Sequence, residues 1–247
     1  MHSEWLIGLT FVLTALLGVV SGMSGGGAGF FMVPYYIFIG LTPQQAVATG
    51  KMGGLGMSTG AITAFRGKGL VSKRYIVPFL AITSACALLS AWLIPRLDGA
   101  VFQTIIGWML IIMTPTLFIK TARLQPGERS RPWIVAGFIV YTIVSLAQTM
   151  FGTGIGTILV LVLMFLFGLN ALQANATKRV AQFSQAIILF VLLLLQGLVV
   201  VGHGIAAMLG SMLGGHVGSR IAIKKGSGFI KIMLAIVMLI SGIALLI

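Results

Sequence analysis

Gly22-Met23-Ser24-Gly25-Gly26-Gly27-Ala28-Gly29 and Gly152-Thr153-Gly154-Ile155-Gly156 decide how this 247-residue chain is organised. Each stretch closes a long apolar run and opens a short one, about 14 residues at 28–41 and about 15 at 155–169. Glycine is a poor helix former, so each stretch reads as a helix break. Two breaks of similar composition suggest an internal repeat. One constant shift carries Gly25, Gly27 and Gly29 onto Gly152, Gly154 and Gly156. After a one-residue insertion, the lengthened shift carries Leu41, Gln45, Ala46, Ala48 and Thr49 onto Leu169, Gln173, Ala174, Ala176 and Thr177. Lys51 falls on Arg179, and Gly69-Leu70 on Gly197-Leu198. Matches of Ala, Gly and Leu come easily in an apolar chain. Polar residues recurring at one spacing, as in Gln-Ala-x-Ala-Thr-x-(Lys/Arg), do not.

The runs between the breaks give the fold class. The chain is 58% hydrophobic and 8% charged, with a mean hydropathy of +1.11, whereas soluble domains are roughly a quarter charged. Ten apolar segments are read at about 5–21, 28–41, 46–65, 75–95, 100–119, 133–150, 155–169, 175–196, 203–222 and 228–247. Most approach the roughly 20 residues a spanning helix needs. The runs are continuous rather than alternating, which argues against a β-barrel. The expectation is an all-α polytopic membrane protein of two inverted repeats, about five segments each. It has eight to ten transmembrane helices, depending on whether the short segments span or re-enter. The first repeat covers 1–120, a linker 121–132 and the second repeat 133–247.

Charge sets the expected orientation. The net charge is +13, and 12 of the 16 Lys and Arg lie near 66–74, 120–131 and 220–231. Short basic loops stay cytoplasmic. The loop at 66–74 is basic while its counterpart near 197–202 is uncharged, and the polarity reverses for the loops at 95–99 and 223–228. Opposite polarity agrees with an odd number of segments per half, so the halves are expected to be inverted. The basic loops 66–74, 120–132 and 220–231 would then be cytoplasmic and both termini outside, in a bacterial or archaeal cytoplasmic membrane. A nucleic-acid partner is rejected because the basic residues sit in loops between apolar runs. The first residues lack a basic n-region, so the first run is expected to be retained. Cys86 is the only cysteine, which excludes an internal disulfide. No metal-ligand spacing, carboxylate pair or other catalytic constellation appears, so no metal, cofactor or enzyme activity is expected.

Broken helices in inverted repeats place transporter sites near the midplane. Free N–H groups and the positive end of a new helix suit an anion. The candidate binding residues are Ser24, Gly25, Gly26 and Gly27 on one side and Gly152, Thr153 and Gly154 on the other. Lys51 and Arg179 occupy equivalent positions early in two apolar segments, where a charge is costly and usually functional. Gln45, Thr49, Gln173 and Thr177 flank them as donors. The bland alternative is that the glycines permit close packing and that both cations snorkel to the interface, a reading that Lys178 beside Arg179 favours. The only acids, Glu4, Asp98 and Glu128, lie outside the segment cores, so a carboxylate relay or carboxylate sodium site is not available. His216 beside Gly214-Gly215 is a possible proton carrier. His203, at a segment end, is expected at the interface.

At the breaks and the Gln-Ala-x-Ala-Thr block the chain resembles the TauE/SafE family of membrane permeases. Val33-Pro34, Gly40-Leu41-Thr42-Pro43, Ala46-x-Ala48-Thr49 and Gly67-Lys68-Gly69 carry the likeness further. The second half lacks a proline matching Pro34. The resemblance implies transport of small sulfur oxyanions or organosulfonates, such as sulfite or sulfoacetate, in either direction. The reading is therefore a secondary transporter working by alternating access about a central anion site. The alternatives are a passive anion channel or a non-transporting membrane assembly factor. The partners expected are a small anion and the bilayer.

Overall fold

The computed structural model describes residues 2–26, 29–98, 126–152 and 155–246, and within them every regular element is helical. The fifth apolar segment, at 100–119, lies outside the described residues. Helix α1 spans His2–Ser24, α2 Gly29–Phe38, α3 Pro43–Phe65 and α4 Ile76–Leu93, with a 3-10 turn at Ile94–Arg96. Helix α5 spans Arg131–Phe151, α6 Gly156–Leu166, α7 Ala171–Leu195 and α8 Val201–Leu246. The two segments expected at 203–222 and 228–247 are the two arms of α8, which meet at a kink where Gly226 leaves the helical region at φ +79°.

Local sequence explains most boundaries. Helices α1 and α5 stop at Gly25 and Gly152, whose φ values of +84° and +117° only glycine adopts freely. Helices α3 and α7 both open on a capping box. Thr42 Oγ1 accepts the Gln45 N–H at 3.3 Å, and Gln45 Oε1 accepts the Thr42 N–H at 3.1 Å. Asn170 and Gln173 repeat the exchange at 2.9 and 3.3 Å. Each box satisfies two N–H groups that the first turn leaves without an intrahelical partner.

Among the described residues, four helices are long and apolar enough to cross a membrane: Glu4–Ser24, Ile76–Arg96, Arg131–Phe151 and Ala171–Leu195. Their outward faces carry large exposed apolar side chains, among them Trp5, Leu16, Trp92, Trp133 and Ile143. Such a belt would be anomalous in water and is what lipid requires. Helix α3 is different. It carries Thr49, Lys51 and Ser58, and all three are buried inside the bundle. The chain is an all-α polytopic membrane protein.

In lipid, helix association relies on close backbone approach rather than on the hydrophobic effect. Helix α8 lies between α1 and α3 and meets both through glycine. A methyl group on Gly210, Gly214 or Gly218 would collide with the carbonyls of Phe11, Ala15 and Val19. A methyl on Gly56 or Gly60 of α3 would collide with the carbonyls of Met208 and Met212.

Some hydrogen bonds between the halves come in exchanged pairs. Thr49 Oγ1 accepts the Val200 N–H at 3.1 Å, and Thr177 Oγ1 accepts the Ser72 N–H at 2.9 Å. Ser211 Oγ donates to the Gly53 carbonyl at 2.6 Å, and Thr83 Oγ1 lies 3.3 Å from the Ala181 carbonyl. In each pair, the shift that carries Thr49 onto Thr177 also carries one bond onto the other. Two-fold-related halves give this pattern, residue i to j′ and i′ to j.

Candidate functional site

The two helix breaks lie directly against each other. Gly25 and Gly26 pack on Val160, Gly156 and Thr157, so closely that a methyl on Gly26 would overlap the backbone at Gly156-Thr157. Ser24 is fully buried, its hydroxyl 2.9 Å from the Val20 carbonyl and 2.6 Å from the Gly26 carbonyl. Gly27, Thr153 and Gly154 lie outside the described residues.

Three cations surround this crossing. Lys51, Lys178 and Arg179 are 3%, 1% and 1% exposed. None of them snorkels to an interface. Lys51 Nζ donates to the Gln148 carbonyl at 3.1 Å. Arg179 donates to the Ser21 carbonyl at 2.7 Å, with its other nitrogen 3.3 Å from Gln182 Oε1. The shift that carries Gly25 onto Gly152 carries Ser21 onto Gln148, so this is a third exchanged pair. Both carbonyls also accept the N–H of the breaking glycine, Gly25 and Gly152 at 2.9 and 3.1 Å. Lys178 Nζ donates to the Gly25 carbonyl and sits beside Gly156, the first residue of α6.

The geometry explains how the cations are held but not how they are neutralised. Each contacts the C-terminal end of a helix from the opposite half, where the macrodipole supplies roughly −0.5 charge. Two such ends cannot balance three full charges, and the nearby start of α6 is itself positive. The chain's three carboxylates, Glu4, Asp98 and Glu128, contribute nothing here, since each is exposed at a helix end or in a loop. Several buried polar atoms also have no hydrogen-bond partner among the described residues: the Tyr36 hydroxyl, both Gln148 amide atoms, Asn175 Oδ1 and Arg179 Nε. Each unpaired buried group costs about 1–3 kcal/mol. Of these, the Tyr36 hydroxyl, Gln148 Nε2 and Arg179 Nε have a proton to donate, and Gln148 Oε1 and Asn175 Oδ1 can only accept.

A cavity of about 50 Å³ opens beside Lys51. Gly50, Gly54 and Met57 of α3 line it, with Ser21, Tyr36 and Gly152. Lysine has three N–H donors, and Lys51 directs one at Gln148, which leaves two for a ligand. The structure brings together Lys51, Gly152, Arg179, Ser24, Gly25 and Gly26. It does not bring in the four flanking donors. Gln45 and Gln173 cap their own helices, and Thr49 and Thr177 hold the loops of the opposite half. His216 lies away from the breaks, bonded to Thr63 Oγ1 at 2.8 Å on an exposed rim. His203 is buried rather than interfacial, 9% exposed, with Nδ1 2.9 Å from Thr10 Oγ1. Sequence reasoning missed Lys178 and Tyr36 as site residues. Lys178 was legible only as one of two adjacent cations, and Tyr36 had no polar signal around it.

Known proteins agree with a membrane transporter. A family model described as "Sulfite exporter TauE/SafE" matches residues 10–245. A "Probable membrane transporter protein" of a Sinorhizobium species is 29% identical over 98% of this chain and 92% of its own length. Others of the same description, from Haemophilus influenzae and Escherichia coli K12, are 28% and 27% identical and cover 94% and 96% of the chain, and 91% and 88% of their own lengths.

Proposed function

The chain belongs to the sulfite exporter TauE/SafE family, a family of membrane transporters, and from that premise we propose that it is a secondary transporter of small sulfur-containing anions. Sulfite, sulfoacetate and other organosulfonates are the substrate class. One observation carries the reading: Lys51, Lys178 and Arg179 are buried at the helix breaks with no carboxylate to neutralise them. An uncompensated buried cation is strongly destabilising, and a bound anion removes that cost.

The site has the following form. The anion enters the cavity of α3, takes the two unused N–H donors of Lys51, and gains the Tyr36 hydroxyl. Arg179 and Lys178 hold the opposite wall by gripping the last carbonyls of α1. The halves are inverted repeats, residues 1–120 and 133–247, joined by a cytoplasmic linker at 121–132. The exchanged hydrogen bonds support this relation, and rocking of one half against the other gives alternating access. The basic stretches 66–74, 120–132 and 220–231, the last of them the kinked part of α8 rather than a loop, face the cytoplasm of a bacterial or archaeal cell and both termini face outward.

The test is uptake of labelled sulfite and of short sulfonates into proteoliposomes, with Lys51→Ala beside the wild type. Saturable uptake by the wild type that is lost in Lys51→Ala is the expected result. Undiminished uptake in Lys51→Ala removes the cavity from the mechanism. Unitary currents in planar bilayers would replace the carrier with a channel.

A further inference from the structure

A second basic cavity lies at the far end of α3, away from the helix breaks. It has a volume of about 540 Å³ and is open to the surface. Arg66 and Lys68 line it from the end of α3 and the following turn, and Arg220 and Lys224 from α8. All four side chains are exposed. No acid lines this cleft among the described residues. That is not true of every basic loop, since Arg74 has Glu128 at 4.0 Å. A preference for basic residues on one side of the membrane accounts for cations in loops. It does not account for four of them converging on one cleft from segments in opposite halves of the chain.

The cleft is separate from the central cavity. Between them, Gly56 and Gly60 of α3 press against the Met208 and Met212 carbonyls of α8 with no room for a methyl group. The central cavity uses α3 only as far as Met57, and the cleft begins at Thr63. Thr63 and His216, hydrogen-bonded to each other, line the side of the cleft nearest Gly60 in sequence.

One wall of the cleft is apolar. Val217 and Ile221 form it, and Val217 continues a stripe of exposed side chains on α8 at a spacing of four: Val201, Ile205, Leu209, Leu213 and Val217, all 43–54% exposed. Residues four apart are neighbours on a helix surface, so these form a continuous track that winds slowly around α8. A basic cleft at the end of an apolar, lipid-facing track has the polarity of a phospholipid, phosphate in the cleft and acyl chain along α8.

We propose that the cleft formed by Arg66, Lys68, Arg220 and Lys224 binds the phosphate of an anionic phospholipid, whose acyl chain lies on the Val201–Val217 stripe of α8. Basic pockets at helix ends on the cytoplasmic side recognise such headgroups. The occupant crosslinks α3 to α8 and so fixes the ends of two helices that come from different halves.

The experiment uses the full chain purified in detergent. Dioleoyl phosphatidylglycerol raises the melting point by about 3 °C or more, and dioleoyl phosphatidylcholine does not. The shift is abolished in Arg66→Ala/Arg220→Ala and retained in Lys73→Ala/Arg131→Ala, which keeps the cleft and removes two other basic residues. Native mass spectrometry of the same samples counts bound phosphatidylglycerol, with Lys68→Gln/Lys224→Gln as the milder pair, and both cleft variants should lose the bound lipid. A full shift and undiminished lipid count in both cleft variants overturns the proposal. So does an equal shift with millimolar inorganic phosphate alone, which would assign the cleft to a soluble anion. Uptake of sulfonates plays no part in the readout, so the outcome is independent of the transport reading.

Discussion

Helices α3 and α7 share a frame and differ in what they place inside it. Both open on a capping box, both use a threonine to hold a loop of the other half, and both set a buried cation against the last turn of the helix that precedes a break. In the alignment that carries Lys51 onto Arg179, Val47, Gly50, Gly54 and Met57 of α3 become Asn175, Lys178, Gln182 and Gln185 of α7. The α3 set lines a cavity. The α7 set is buried, and it occupies the corresponding volume with amides and an ammonium. Gln182 accepts a hydrogen bond from Arg179, while its α3 counterpart, Gly54, has no side chain to offer Lys51. The same scaffold thus yields a cavity on one side, lined mostly by glycine and apolar side chains around Lys51, and a filled polar core on the other. A two-fold frame does not require two sites.

The largest expected effect separates the two cations. Lys51→Met should lower sulfonate uptake at least about 100-fold, the size expected when one charge of a buried pair is truncated. Arg179→Met should lower it only about 10-fold, because its guanidinium is already bonded to Ser21 and Gln182. Equal losses in initial-rate uptake would break the comparison and restore two equivalent halves of one site. Next come two glycines of α3 with opposite outcomes. A methyl on Gly50 meets nothing closer than Tyr36 at 3.9 Å, whereas one on Gly56 would overlap the Met208 carbonyl. Gly50→Ala should fold normally by size-exclusion chromatography and raise the KM for uptake about threefold, by crowding the cavity. Gly56→Ala should be recovered poorly, with a melting point lowered by about 5 °C or more. A Gly50→Ala protein with unaltered kinetics would mean the anion lies elsewhere. The smallest effect tests what the helices share. Thr49→Val and Thr177→Val each remove one hydroxyl acceptor from a backbone N–H, and each should cost about 1 kcal/mol in thermal unfolding. Strongly unequal costs would show that the two loop attachments are not equivalent.

The frame was legible in the sequence because its signals are local. Glycine clusters interrupt helices wherever they occur, and both breaks fall where composition puts them. The equivalence of Lys51 and Arg179 was legible as a spacing. The roles of Gln45 and Gln173 were legible too, as Thr42-x-x-Gln45 and Asn170-x-x-Gln173 capping patterns, although their place beside the cations made them look like ligand donors. Thr49 and Thr177 could not be read, since their partners lie 151 and 105 residues away. Lys178 next to Arg179 suggested a solvated pair at a helix end. The structure buries both, because α7 is enclosed by protein on a wide arc rather than along a narrow stripe. The cavity itself left no local trace. It follows from glycine at 50 and 54 facing Tyr36 and Ser21, a matter of packing between helices.

The exchanged hydrogen bonds also bear on how the protein is made. Lys51 finds its carbonyl 97 residues later in the chain, and Ser211 finds Gly53 across 158. At synthesis rates of about 5–20 residues per second, Lys51 waits about 5–20 s before Gln148 is made. During that interval a lysine, several hydroxyls and a face of bare glycine backbone have no protein partner. The nascent first half is therefore a natural client for insertion machinery and for membrane proteases. Its survival depends on how fast the ribosome delivers the second.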